Sequence, residues 1–84
     1  MLDHIDDEIK KIFFEVFPDL SESNFDWKKK QNDYNDWDSF SQLSLITMVE
    51  SKFSISITDD ESITIRSAED MQKTVNRHKR KSDS

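Results

Sequence analysis

Apolar residues recur at intervals of three and four between Ile5 and Val16. Ile5, Ile9, Ile12, Phe13 and Val16 fall on one face of a helical wheel, which predicts an amphipathic helix over residues 3–17. Asp3, Asp6, Asp7 and Glu8 crowd its first turns, where the helix dipole favours negative charge. Pro18 follows Phe17 and marks the stop. From residue 18 to residue 38 the periodicity disappears, and Asn, Asp, Ser and Lys dominate. A connection of about twenty residues is long for a small domain. Its interspersed Phe25, Trp27 and Tyr34 predict a segment pinned to the surface of the fold, with Lys28, Lys29 and Lys30 as a solvated face.

A second helical stripe covers residues 39–53. Leu43, Ile46, Val49 and Phe53 step by three, three and four, Phe40 and Leu45 widen the stripe, and Glu50, Ser51 and Lys52 face outward. Asp38 or Ser39 is the natural N-cap, because either side chain can accept the orphan amide hydrogens of the first turn. The stretch FSISITDDESITI that follows fits two readings. Its alternation of apolar and polar residues, rich in Ile and Thr, is that of a β-hairpin. An isolated pair of strands is barely stable, however. The other reading is an extended run through Ile55 and Ile57, then a short helix from Asp59 to near Ile63. A last helix is expected from about Ser67 to Arg77, with Ala68, Met71 and Val75 on one face.

Composition narrows this picture. The 84 residues hold a single domain at most. Six Phe and two Trp supply enough apolar bulk for one compact core despite 36% charged residues. There is no glycine, and turns between strands commonly need one, so the balance moves toward an all-α fold. There is also no cysteine, which removes disulfides, thiolate metal sites and a cysteine nucleophile. The net charge of −6 is uneven. The C-terminal RHKRKSDS is basic and is read as a flexible tail (77–84) beyond a domain spanning 1–76. The acidic body disfavours nucleic acid and favours basic protein partners. MLDHIDDEIKK lacks the apolar run of a signal peptide, and no apolar stretch has membrane-spanning length. The expectation is a soluble, monomeric, cytoplasmic protein with no nucleic-acid or membrane partner. His4 and His78 are read as too distant from any partner to form a metal site or a catalytic base. No nucleophile–base pair, metal cluster or phosphate-cradling loop suggests an enzyme.

The order of elements, together with Asp38-Ser39-Phe40 at the mouth of the second helix, resembles the acyl and peptidyl carrier proteins of the phosphopantetheine-binding family. These carry an Asp-Ser-Leu-type motif at that place. The following LSLITMVESKFSISITDDESITIRSAED is similar to the family's apolar helix, aromatic residue, apolar-x-apolar run and short acidic helix, without a gap. The resemblance covers nearly the whole chain. It implies an acyl-carrier-protein-like four-helix bundle with a long first loop and a short third helix, and so decides against the hairpin.

The resemblance further implies that Ser39 is the attachment point of 4′-phosphopantetheine, added by a phosphopantetheinyl transferase from coenzyme A with Mg²⁺. The arm's thiol would then carry an acyl or aminoacyl group as a thioester, received from a loading enzyme and passed to a downstream transferase or synthase. Asp38 takes a part in transferase recognition on this reading, against simple capping as its other role. Ile46, Val49, Phe53, Ile57 and Ile65 match positions that line the family's interior, which in some members shelters the acyl chain. They serve equally as plain core.

Two departures from the family pattern qualify the expectation. Trp37 replaces the small residue common before the motif in fatty-acid carriers, and is expected to pack the long loop over the bundle. The outward positions of the second helix include only one acid, Glu50, so electrostatic steering through this helix should be weak. Phe40, Thr47 and Met48, with Glu50, are the docking candidates, acting chiefly by packing. A carrier from a specialised pathway is therefore expected rather than the housekeeping carrier of fatty-acid synthesis. The alternative from another class is a helical protein-interaction module with no prosthetic group.

Overall fold

A computed structural model describes the backbone of residues 3–83 and the side chains of residues 5–79. The expectation for His4 therefore lies outside the described side chains. Four helices follow one another: α1 (Asp3–Val16), α2 (Ser39–Phe53), α3 (Asp59–Ser62) and α4 (Ala68–Asp83). A single 3-10 turn, Gln31–Asp33, interrupts the α1–α2 connection. There is no strand among the described residues, so FSISITDDESITI is not a hairpin. No helix among the described residues is long and apolar enough to cross a membrane.

The core is built on α1. Ile5, Ile9, Ile12 and Phe13 are buried, as is Phe17 just beyond the helix. α2 and α4 both pack against α1. They contribute Leu45, Ile46, Val49 and Phe53 from the one, and Ala68, Met71 and Val75 from the other. Ile57 and Ile65, from the segments flanking α3, complete this cluster.

The buried stripe of α2 differs from the expected one. Leu45 is completely buried, whereas Leu43 is 62% exposed and Phe40 78% exposed. The buried stripe is Leu45, Ile46, Val49 and Phe53, with the half-buried, polar Gln42 in line with it one turn earlier. Leu43 sits one residue away, about 100° further around the helix.

The long connection is fastened to the fold, as its aromatics suggested. Trp37 is buried, and its ring meets Phe13, Phe17 and Tyr34 with centroids 5.6, 5.6 and 5.0 Å away. Phe25 and Trp27 stack edge-on at 5.1 Å. Backbone bonds do the rest: the Gln31 N–H donates to the Arg66 carbonyl at 2.7 Å, and the Glu69 N–H donates to the Trp27 carbonyl at 2.9 Å. The second of these bonds serves an amide in the first turn of α4, which has no partner within the helix. The lysine run is not wholly a solvated face, because Lys29 lies 4.8 Å from the centre of the Tyr34 ring. The Tyr34 hydroxyl is buried without a hydrogen-bond partner among the described residues. Burial and the charge of Asp26 push it up to about 12.

A chain without glycine must still end its helices. α2 does so at Ser54, whose φ of 56° and ψ of 48° place it in the left-handed region that glycine normally fills. α3 is held by a capping box. The Glu61 N–H donates to Thr58 Oγ1 at 3.1 Å, and the Thr58 N–H donates to Glu61 Oε1 at 3.1 Å.

α4 continues past Arg77 to Asp83, through the expected start of a tail at residue 77. Three of the residues assigned to that tail have structural partners. Arg77 pairs with Glu61 at 3.2 Å, and His78 Nε2 lies 2.9 Å from the same carboxylate. His78 is thus not isolated from partners, contrary to expectation. Lys79 Nζ donates to the Phe53 carbonyl at 3.0 Å. A cation at the last turn of α2 matches its dipole and one of its orphan carbonyls.

Candidate functional site

Asp38 closes the start of α2. Its carboxylate accepts the Ser41 N–H at 2.9 Å, so Asp38 is the N-cap and Ser39 the first helical residue. The same bond, from the Ser41 backbone amide, holds the Asp38 carboxyl below the usual carboxylate range. Ser41 Oγ also donates to the Asp36 carbonyl at 2.6 Å, which tightens the turn before the helix. Capping thus falls to Asp38 and leaves Ser39 exposed. No hydrogen bond to another described residue holds its hydroxyl.

Ser39 opens onto a hollow of about 220 Å³. Gln42 and Ile65 line its deeper part, while Gln31, Ser62, Ile63 and Arg66 complete its wall. Beneath it lies a polar network that sequence reasoning missed. The Trp37 indole donates to Gln42 Oε1 at 2.6 Å. Gln42 Nε2 in turn donates to the carbonyl of Ser62 at 2.8 Å and lies 3.3 Å from that of Ile65. Gln31 Nε2 donates to the Trp37 carbonyl at 3.2 Å. Gln42 therefore ties the long connection, α2 and the segment between α3 and α4 to one another, three residues from Ser39. Its polarity serves the interior rather than a partner surface. The sequence signal for it is a polar residue one turn before Leu45 and Ile46, directly in line with the buried stripe.

The residues expected to line the interior do so: Ile46, Val49, Phe53, Ile57 and Ile65 are all buried. The docking candidates are divided. Phe40 stands exposed on the outer side of α2, joined by Leu43. Thr47 and Met48 instead line an open groove of about 520 Å³ between α1 and α2, with Ile12 and Glu8 opposite. Glu50 is half-buried rather than outward-facing, and its carboxylate accepts the Ile57 N–H at 2.8 Å. It fastens the chain after α2 and is no free docking charge. Ile63, 67% exposed on the edge of the hollow, is a third large apolar side chain near Ser39 that the pattern did not single out.

No protein-family model, curated protein or solved structure matches this chain.

Proposed function

We propose that this chain is a carrier protein whose Ser39 takes a covalent 4′-phosphopantetheine arm and shuttles an acyl or aminoacyl group between enzymes. The observation that carries this reading is the division of labour at the start of α2. Asp38 caps the helix, so the neighbouring Ser39 hydroxyl stands exposed as its first residue. A serine acting only as a cap would turn its oxygen back onto the N2 or N3 amide. Here that amide is already taken.

The surroundings fit an arm attached by a phosphodiester. An anion at this place meets the positive end of the α2 dipole and unpaired amides of the first turn. The hollow beside Ser39 has room for the near end of an extended group, and the arm itself would supply the thiol that this cysteine-free chain lacks. The four helices, the long first connection and the short α3 are those expected of a carrier-type bundle. Asp38 would serve both as cap and as a contact for the transferase.

The surface near Ser39 presents Phe40, Leu43 and Ile63 rather than a row of acids. It suits partner enzymes that dock by apolar contact, and with them a specialised pathway rather than housekeeping fatty-acid synthesis. The same three side chains would serve a helical interaction module without an arm, which is the second reading. Transfer of a fluorescent pantetheine group from a coenzyme A analogue distinguishes the two. Wild-type protein should be labelled by a broad-specificity transferase and Ser39→Ala should not. Equal labelling of the two proteins, or none with several transferases, would remove the carrier reading.

A further inference from the structure

We propose that the Arg66 guanidinium is the built-in counter-charge for the phosphodiester on Ser39, an inference that rests on the carrier reading above. The two residues line the same hollow, and the other residues around it are uncharged. Arg66 is therefore the one cation this hollow offers to a group attached there.

Its position is fixed from three sides. The Arg66 N–H donates to Asp70 Oδ2 at 3.0 Å, and its carbonyl accepts the Gln31 N–H at 2.7 Å. Its Nε donates to the Ile63 carbonyl at 3.3 Å. A guanidinium carries five N–H donors in one plane, so the terminal nitrogens are left for another acceptor. The two backbone bonds fix where the side chain starts, and the Nε bond meets part of the entropy cost of ordering it.

The charges around Ser39 favour such a partner. Asp38 immediately precedes it and is held in the ionised form by the Ser41 amide. A phosphodiester on Ser39 would bring a second negative charge beside this carboxylate, an unfavourable contact that a nearby cation offsets. The lysine run does not supply that cation from within the hollow, and Lys29 lies instead over the Tyr34 ring. Arg66 offers a planar, permanently charged donor set that matches phosphate oxygens.

The test compares the full-length ¹⁵N-labelled protein before and after loading by a broad-specificity transferase, with intact mass reporting the loaded state. The Arg66 Nε–H resonance should move on loading, while that of Arg77, which pairs with Glu61, stays in place. Raising the salt concentration should return Arg66 toward its unloaded position. In the loaded protein, Arg66→Gln should shift the phosphodiester ³¹P line and Arg77→Gln should not. A loaded protein whose Arg66 resonance and ³¹P line stay still overturns the pairing and leaves the carrier reading intact. A chain that no transferase loads overturns both.

Discussion

The indole N–H of Trp37 donates to the side-chain carbonyl of Gln42 at 2.6 Å. The amide of the same Gln42 reaches across to the Ser62 carbonyl at 2.8 Å. One half-buried polar side chain, in line with the buried stripe of α2, thereby joins three segments that meet beneath Ser39.

Replacing Gln42 should therefore act like a core substitution. Gln42→Ala leaves the Trp37 indole and two backbone carbonyls without their partner, which should cost about 2–3 kcal/mol. Gln42→Glu keeps an acceptor for Trp37 and removes the donor to Ser62, so it should also destabilise. Urea unfolding with an unchanged m-value is the measurement. A loss within about 0.5 kcal/mol for Gln42→Ala would mark the residue as ordinary surface.

The face of α2 can be checked with a pair of leucines. Leu45→Ala removes a completely buried side chain and should cost about 2–5 kcal/mol. Leu43→Ser changes an exposed one and should stay within about 0.5 kcal/mol. On the carrier reading, the same Leu43→Ser protein should bind a partner enzyme less well. The reverse order of stabilities would restore Leu43 to the core.

These two positions also mark how far the sequence could be read. α1, with its unbroken apolar stripe and Pro18 beyond it, was legible almost to the residue. α2 was legible as a helix but not in its rotation. Leu43 and Gln42 both lie three or four residues from Ile46, and an apolar pattern prefers the leucine. Nothing in hydrophobic spacing shows that a glutamine can be more deeply placed because the Trp37 indole and two carbonyls need it. The short α3 had a local signal stronger than its strand-like alternation. Thr58-Asp59-Asp60-Glu61 is a capping box, and both of its reciprocal bonds form. The continuation of α4 was hidden by its basic composition. Its charges looked solvated, yet Arg77 and Lys79 have their partners on Glu61 and Phe53, distant in sequence. At the candidate site, the order Asp38-Ser39 put both residues at the start of α2 and left open which of them caps it. Arg66 and Gln31 were not readable there, because only the tertiary fold brings them to the same hollow.

Substitution separates the cap seen at Asp38 from the transferase contact proposed for it. Asp38→Asn keeps a side-chain oxygen for the Ser41 amide, so its thermal midpoint should stay near that of the wild type. Asp38→Ala removes the cap and should lower the midpoint. Both should be loaded more slowly by the transferase, because both lose the carboxylate. Unchanged loading of a folded Asp38→Asn protein would confine Asp38 to capping.

Acid should weaken the attachment of α3 to α4 through Glu61. Its carboxyl is lowered from 4.5 to about 2, first by the Thr58 N–H and then by Arg77 and His78, against an opposing effect of burial. A folded-state value below the unfolded one stabilises fully above about pH 4.5, and that contribution is lost as the pH falls toward 2. Glu61→Gln should therefore be less stable than wild type at neutral pH, with the gap closing across that acid range. Chemical unfolding at a series of pH values measures it. A gap that stays constant down to pH 2 would assign the effect to packing instead.

The central claim is that Ser39 carries the arm. Its most direct measurement is the intact mass of the full-length protein purified after co-expression with a broad-specificity phosphopantetheinyl transferase. The carrier reading predicts a gain of one phosphopantetheine group in the wild type and none in Ser39→Ala. An unmodified wild-type mass with several transferases, or a gain that survives Ser39→Ala, would contradict it.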